Sequence, residues 1–139
     1  MFLLDTNVLS ALMYPVPPAV VVRWIAAQSY DELFTASVCQ AEVLAGLAIM
    51  PQGRRRHRLE QAAEMMFGDD FAGQILPFDT GATESYAHIL VNRRRAGRPI
   101  ATEDLMIAAI ARSRDFSVVT RNIDDFNGCG VIVINPWEE

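Results

Sequence analysis

The sequence predicts an α/β protein with three layers, in which a short, mainly parallel sheet lies between helices. Short apolar and β-branched runs alternate with segments of helical length along the whole chain. Such alternation is typical of a parallel sheet whose two faces are covered by helices. No internal repeat, low-complexity tract or linker is found, so residues 1–139 are predicted to form a single domain.

The predicted strands are all short. The first covers residues 2–4, which is too few for a helix, and it ends at Asp5. The others are predicted at residues 33–36, 75–78, 117–120 and 131–134.

Helices are predicted at residues 6–13, 18–28, 38–50, 54–67, 80–96 and 102–114. Pro15 stops the first helix, and Pro18 is acceptable in the first turn of the second. Ser37 is predicted to cap the third helix, with Gln40 completing a weak capping box. The fifth helix is expected to end at Gly97 after an arginine-rich last turn, which the helix dipole favours.

The charge pattern leaves the nature of a partner open. The net charge of −5 argues against a simple electrostatic nucleic-acid binder. All 12 basic residues are nevertheless arginines, and eight of them lie in two clusters, at residues 54–58 and 93–98. Each cluster is either a solvated helix face or a set of phosphate contacts, because guanidinium groups bind phosphate in a bidentate manner.

The chain is predicted to act in the cytoplasm, without a membrane anchor. Its apolar stretches are interrupted before they reach membrane-spanning length, and nothing before Asp5 resembles a signal peptide. Cys39 and Cys129 belong to no paired motif, so both are predicted to be buried free thiols.

Three acidic residues are candidate ligands of one divalent cation. Asp5 follows a buried strand, where open α/β sheets form their ligand crevice, although it could instead cap the next helix. Glu42 lies in an apolar segment expected to be largely buried, and Gly46 one turn later leaves open space beside it; a solvent-exposed Glu42 is the alternative. Asp104 is expected to point inward from its helix start, and Glu103 outward, although the helix dipole favours an acid there in any protein.

Further polar residues follow the fourth strand. Asn122 and Asp125 are alternative fourth ligands, and Asp125 could instead cap a short turn. The hydroxyls of Thr6, Ser37 and Thr120 are expected to orient the ligands. Oxygen donors of this kind suit Mg²⁺, with Mn²⁺ also possible.

Four motifs surround these residues and occur in this order along the whole chain. They are LDTNVL at 4–9, E-x-x-x-G at 42–46, D-x-x-I-A-A at 104–109 and V-T-R-N-x-x-D-F at 119–126. Together they resemble the PIN-domain ribonucleases, specifically the VapC-type toxins of toxin–antitoxin pairs. The dipeptide at 77–78 and Asn-Pro-Trp at 135–137 are similar to the FitB-like branch.

The resemblance implies a PIN-like fold, metal-dependent cleavage of RNA phosphodiesters, and a metal-binding core of Asp5, Glu42 and Asp104. It also implies a VapB-like antitoxin that covers the acidic pocket, and a homodimer. The apolar patch of that dimer is expected from the helices that carry Trp24, Ile25, Tyr86, Ile89 and Leu90. Family members often have an acid where this chain has Asn122, which makes a second cation uncertain.

Two other functions are considered. A phosphatase with an aspartate nucleophile usually needs a second acid two residues later, where this chain has Asn7. A PIN scaffold that binds RNA or a partner without cleaving is the non-enzymatic alternative, suggested by Asn122. Metal-dependent release of RNA fragments separates the three, and nothing in the arginine clusters specifies tRNA, rRNA or mRNA.

Overall fold

The sheet is parallel throughout and occupies the centre of the molecule. A computed structural model describes residues 1–138, and within them five strands pair in the order β3-β2-β1-β4-β5. The strands are β1 (Phe2–Leu4), β2 (Leu33–Ala36), β3 (Ile75–Leu76), β4 (Ser117–Val119) and β5 (Val133–Ile134). The predicted three-layer fold with a short parallel sheet is confirmed.

The helices connect the strands and cover the sheet. They are α1 (Thr6–Leu12), α2 (Ala19–Ala26), α3 (Ser37–Ala48), α4 (Arg54–Met65), α5 (Thr83–Arg95) and α6 (Thr102–Arg114). A π-helical turn, Met66–Asp70, extends α4, and 3₁₀ turns form at Tyr30–Glu32, Thr80–Ala82 and Ile123–Phe126. None of the helices within residues 1–138 is both long and apolar enough to span a membrane.

Two details of the helix predictions are wrong. Ser37 is the first helical residue of α3 rather than its cap, and Ala36 at the N-cap offers no side-chain hydrogen bond. The chain continues directly from β2 into α3, which leaves no loop residue to act as a cap. The helix predicted to start at residue 80 begins as the 3₁₀ turn Thr80–Ala82 and becomes α-helical only at Thr83.

The burial of α6 and α3 differs strongly. The middle of α6 is almost completely buried, from Ile107 to Ala111, and the helix packs against α5. By contrast α3 buries only Cys39, Val43 and Leu47. Leu44 remains 48% exposed, so the expectation that most of this apolar segment is buried is wrong. Cys39 and Cys129 are buried free thiols, as predicted.

Because all five strands are parallel, their carboxyl ends meet at one edge of the sheet. Asp5 follows β1 and Thr120 follows β4, and these two strands are neighbours. This arrangement brings polar residues from distant parts of the sequence together.

Candidate metal centre

Asp5 is the most tightly held acid of this edge, with a side chain only 5% exposed. Its Oδ1 accepts a hydrogen bond from the backbone N–H of Thr6 at 2.8 Å, so Asp5 does cap α1. Its Oδ2 accepts from the Thr120 hydroxyl at 2.8 Å and from the Asn7 amide at 3.3 Å. The capping interpretation and the ligand interpretation are therefore compatible, since the same bonds that cap α1 also fix the carboxylate.

A small network behind Asp5 holds it in place. The Thr120 hydroxyl donates to Asp5 and accepts from the Asn7 amide at 3.0 Å and from the Asn122 N–H at 3.1 Å. The side-chain Oδ1 of Asn7 in turn accepts from the backbone N–H of Arg121 at 3.1 Å. Thr120 thus makes the contact with Asp5 that its predicted orienting role requires, whereas the contacts of Asn7 were not predicted.

Glu42 projects from α3 towards the same edge and is more exposed than Asp5. Its Oε1 accepts a hydrogen bond from the Thr6 hydroxyl at 2.8 Å, the contact that the predicted orienting role of Thr6 requires. Ser37 has an exposed side chain that makes no hydrogen bond within residues 1–138. A Cβ built on Gly46 would meet no atom within 4 Å, and Gly46 and Glu42 line a cavity of about 210 Å³. The predicted open space beside Glu42 is present.

Asp104 lies in the first turn of α6 and is partly buried, while Glu103 is exposed, as predicted. Burial raises the pKa of Asp104 to about 6, and the nearby charges of Asp5, Asp125, Glu42 and Glu103 add to this. Glu103 therefore contributes to the electrostatics of the site, although its side chain is exposed.

The pKa values of the other two acids are raised in the same direction. Burial raises the pKa of Asp5, partly offset by the hydrogen bonds from Thr120 and Thr6. Burial also raises the pKa of Glu42, with a further contribution from the charges of Asp5 and Glu103. Carboxyl groups that raise one another's pKa lie close enough to repel when ionised.

In the part of the chain that the structure describes, no basic side chain forms a salt bridge with these acids. Within residues 1–138 the salt bridges are Arg56 with Glu60 and Arg114 with Asp79, both away from the cluster. A concentration of carboxylates without counter-charge is costly, and a divalent cation relieves that cost.

The residues fit a hard divalent cation by charge and by ligand type, since every donor is an oxygen. In the same described part of the chain, however, no three acidic, histidine or cysteine side chains form a ready-made ligand set. In this arrangement Glu42 is held by Thr6, the residue next to Asp5, and Asp5 is held by Thr120. Binding of a shared cation therefore requires a rearrangement of at least one carboxylate side chain.

The two alternative fourth ligands are placed differently. Asp125 lies in the turn Ile123–Phe126, and its charge contributes to the raised pKa values of Asp5 and Asp104. The side chain of Asn122 makes no hydrogen bond within residues 1–138. The capping interpretation of Asp125 is wrong, because Asn122 occupies the N-cap of this turn. The charge of Asp125 therefore reaches two acids of the cluster, while Asn122 adjoins the network through its backbone N–H, which donates to Thr120.

The two arginine clusters are only partly surface-exposed. In the second, Arg93 is 5% exposed and points into the protein, so it can neither contact phosphate nor belong to a solvated face. In the first, Arg56 pairs with Glu60 at 3.2 Å and donates to the backbone oxygen of Met50. Arg55 is exposed and lines the cavity beside Glu42.

The comparison with known proteins agrees with this geometry. The PIN domain profile matches residues 2–128, and the chain belongs to the PIN-domain family. The plasmid stability protein StbB of Pseudomonas syringae pv. tomato is 42% identical over 138 residues, 99% of each chain. The VapC ribonuclease Y4jK of Sinorhizobium fredii is 39% identical over 138 residues, again 99% of each chain.

A solved structure is similar over the whole length. The crystal structure of FitAcB from Neisseria gonorrhoeae contains a chain that superimposes with a TM-score of 0.91. The two chains are 34% identical, and the match covers 100% of both. The predicted relation to the VapC and FitB proteins is thereby confirmed.

Proposed function

We propose that this chain is a single-domain, metal-dependent endoribonuclease and the toxin of a VapBC-type toxin–antitoxin pair. The observation that carries the proposal is the uncompensated carboxylate cluster of Asp5, Glu42 and Asp104 at the carboxyl edge of the sheet. The full-length similarity to a protein named as a VapC ribonuclease supports RNA as the substrate.

Asp5, Glu42 and Asp104 would hold the cation, which we propose to be Mg²⁺, with Mn²⁺ as a substitute. A divalent cation at such a site supplies Lewis acidity towards a phosphodiester. The chain's own part is to keep the ligands in place: Thr120 and Asn7 fix Asp5, and Thr6 fixes Glu42.

Exposed arginines would bind the RNA backbone beside the site. Arg55 is the best placed of the first cluster, because it lines the same cavity as Glu42. Arg121 lies directly after Thr120, and its guanidinium is 5.1 Å from the centre of the Trp137 ring. Stacking on an aromatic ring keeps an arginine extended and available to phosphate or to a base.

We expect RNA cleavage to require a divalent cation. The purified protein, freed of metal with a chelator, should release no fragments from a mixed RNA substrate, and added Mg²⁺ or Mn²⁺ should restore release. The products are separated by electrophoresis, and orthophosphate is measured in parallel. Full activity in excess chelator would refute the metal mechanism.

The same assay distinguishes the alternative functions. Release of orthophosphate without RNA fragments would indicate a phosphatase. Retention of RNA in a binding assay without cleavage, with cation present, would indicate a scaffold that binds only. Asp5→Asn serves as the inactive control, since it retains the volume of the side chain and removes its charge.

We further propose a VapB-like antitoxin as partner, in the cytoplasm where RNA is available. The partly exposed face of α3 supports this, because Leu44 borders a cavity of about 520 Å³ between α3 and α4. Contiguous exposed apolar surface is typical of a protein interface.

We also expect a homodimer, although not through the full patch predicted from the sequence. Ile89 belongs to the core, and Trp24 stacks edge-on against Phe2. Val22 of α2 and Val91 of α5 remain 40% and 43% exposed on the two helices that were expected to supply the patch.

Val91→Arg is expected to convert the dimer to a monomer in sedimentation velocity at micromolar concentration, because it places a charge in an apolar contact. Ile132→Arg is the matched control: Ile132 is 70% exposed but directly precedes β5 and belongs to neither α2 nor α5. A wild-type protein that sediments only as a monomer without antitoxin would contradict the expectation.

A further inference from the structure

Arg93 is a buried arginine whose charge meets no carboxylate. It lies in the last turn of α5, where the side chains of its neighbours Arg94 and Arg95 are exposed. Within residues 1–138 it forms no salt bridge. A buried charge needs hydrogen bonds to offset the loss of water, and Arg93 obtains them from backbone carbonyls.

The guanidinium group divides its hydrogen bonds between two segments. Nε donates to the Arg98 oxygen at 2.7 Å and Nη2 to the Pro99 oxygen at 3.2 Å. Nη1 donates to the Asn127 oxygen at 2.7 Å and to the Asp125 oxygen at 3.0 Å. Arg93 therefore links the connection between α5 and α6 to the segment that follows β4.

Both segments lead to acids of the candidate metal centre. The connection between α5 and α6 ends at the first turn of α6, which carries Asp104. The other segment contains Asp125 itself, whose backbone oxygen is one of the acceptors. The charge of Asp125 contributes to the raised pKa of Asp104, so the two carboxylates lie near each other. The guanidinium thus connects the backbones that present two acids of the same cluster.

Two further residues of the segment that follows β4 lie against this side chain. A Cβ built on Gly128 would be 4.0 Å from Cδ of Arg93, an ordinary van der Waals distance. The Cys129 thiol also packs against the guanidinium, with Sγ 3.8 Å from Nη1. The guanidinium group spreads its N–H donors over three nitrogens and so reaches carbonyls on both segments, whereas an ammonium group has all of its donors on one nitrogen.

We propose that Arg93 is a positioning residue of the metal centre, which sets the separation between Asp104 and Asp125 by clamping the two segments that carry them. The inference rests on the proposed metal-dependent function. It assigns Arg93 no contact with RNA or with the reacting atoms.

The proposal is tested by measuring Mn²⁺ affinity, using electron paramagnetic resonance of the free ion. Arg93→Lys keeps the positive charge but replaces the guanidinium group, with its several N–H donors, by an ammonium group. It should weaken Mn²⁺ binding by about 10-fold or more, as observed for residues that orient metal ligands. Arg94→Lys, one residue further along α5 and exposed, should bind as the wild type does. Melting temperatures without metal are measured in parallel.

Each outcome has a defined meaning. A lowered melting temperature with unchanged Mn²⁺ affinity would show a purely structural role and overturn the proposal. A wild-type protein that binds no Mn²⁺ would overturn the proposed function, and this inference with it. Normal binding by the wild type and by Arg93→Lys would overturn the inference alone.

A measurement on the wild type covers the case in which Arg93→Lys does not fold. The Nε–H of Arg93 is buried and hydrogen-bonded, so it should give an NMR signal protected from exchange with water. This signal should shift when Mg²⁺ is added, with the same midpoint as the backbone N–H of Asp104. A signal that stays unchanged while the Asp104 resonance moves would overturn the proposal.

Discussion

Replacing Asp104 with asparagine is expected to reduce RNA cleavage at least about 100-fold and, in the absence of metal, to stabilise the protein. Loss of cleavage follows if Asp104 is a metal ligand, because even residues that only orient ligands commonly cost 10- to 100-fold. The gain in stability follows from the electrostatics of the folded state, in which burial and four neighbouring acids raise the pKa of Asp104 from 3.8 to about 6.

The raised pKa of Asp104 makes the stability of the folded protein depend on pH. Between about pH 4 and pH 6 the unfolded chain loses the Asp104 proton before the folded chain does. The folded state therefore binds more protons, and the free energy of unfolding falls as pH rises through this window. An asparagine at this position does not ionise, so the Asp104→Asn variant should lose less stability between pH 4 and pH 7.

The expected gain at pH 7 is on the order of 1 kcal/mol, after allowance for solvent screening of a side chain that is only partly buried. It is measured by urea unfolding in chelator at both pH values. Glu84→Gln is the matched control, since Glu84 also lies in the first turn of a helix but is exposed and outside the cluster. It should lose a few tenths of a kcal/mol through the helix dipole and leave cleavage unchanged.

Two outcomes would contradict this argument. If Asp104→Asn is destabilised as Glu84→Gln is, repulsion and burial do not dominate at Asp104. If Asp104→Asn cleaves RNA at the wild-type rate, Asp104 does not hold the cation.

The fold could be predicted from local patterns because each element has its own signal. Short apolar runs mark the strands, and proline or glycine marks many helix ends. Asp5 and Asp104 could be singled out for the same reason, since each stands at the end or the start of an element. These features depend only on residues that are close together in the sequence, so local sequence patterns are sufficient to predict them.

Features that depend on tertiary contacts could not be predicted in this way. Asn7 meets Thr120 across a separation of 113 residues, and nothing near Asn7 in the sequence indicates that contact. Arg93 is a second example. Three consecutive arginines of a helix spread over about 200° of its surface, so all of them can face solvent. The sequence therefore does not show that Arg93 points inward, nor which carbonyls it meets.

The Mg²⁺ requirement of cleavage is expected to depend strongly on Asp125, the candidate fourth ligand of the metal centre. Asp125→Asn is expected to raise the Mg²⁺ concentration needed for half-maximal cleavage by about 10-fold or more. The charge of Asp125 reaches both Asp5 and Asp104, and its backbone is held by Arg93. Asn122→Asp is expected to change this concentration less than about 3-fold, because in the folded protein Asn122 contacts the network through its backbone N–H rather than its side chain.

Asp124→Asn is the control for net charge, since Asp124 is exposed in the same turn but does not contribute to the pKa of Asp5 or Asp104. It should leave the metal dependence unchanged. An equal effect of Asp124→Asn and Asp125→Asn would indicate that total charge matters and position does not. A lower Mg²⁺ requirement in Asn122→Asp, with no change in Asp125→Asn, would assign the fourth position to residue 122. If none of the variants alters the titration, Asp5, Glu42 and Asp104 hold a single cation without a fourth ligand, and the charge of Asp125 serves only to raise the pKa of its neighbours.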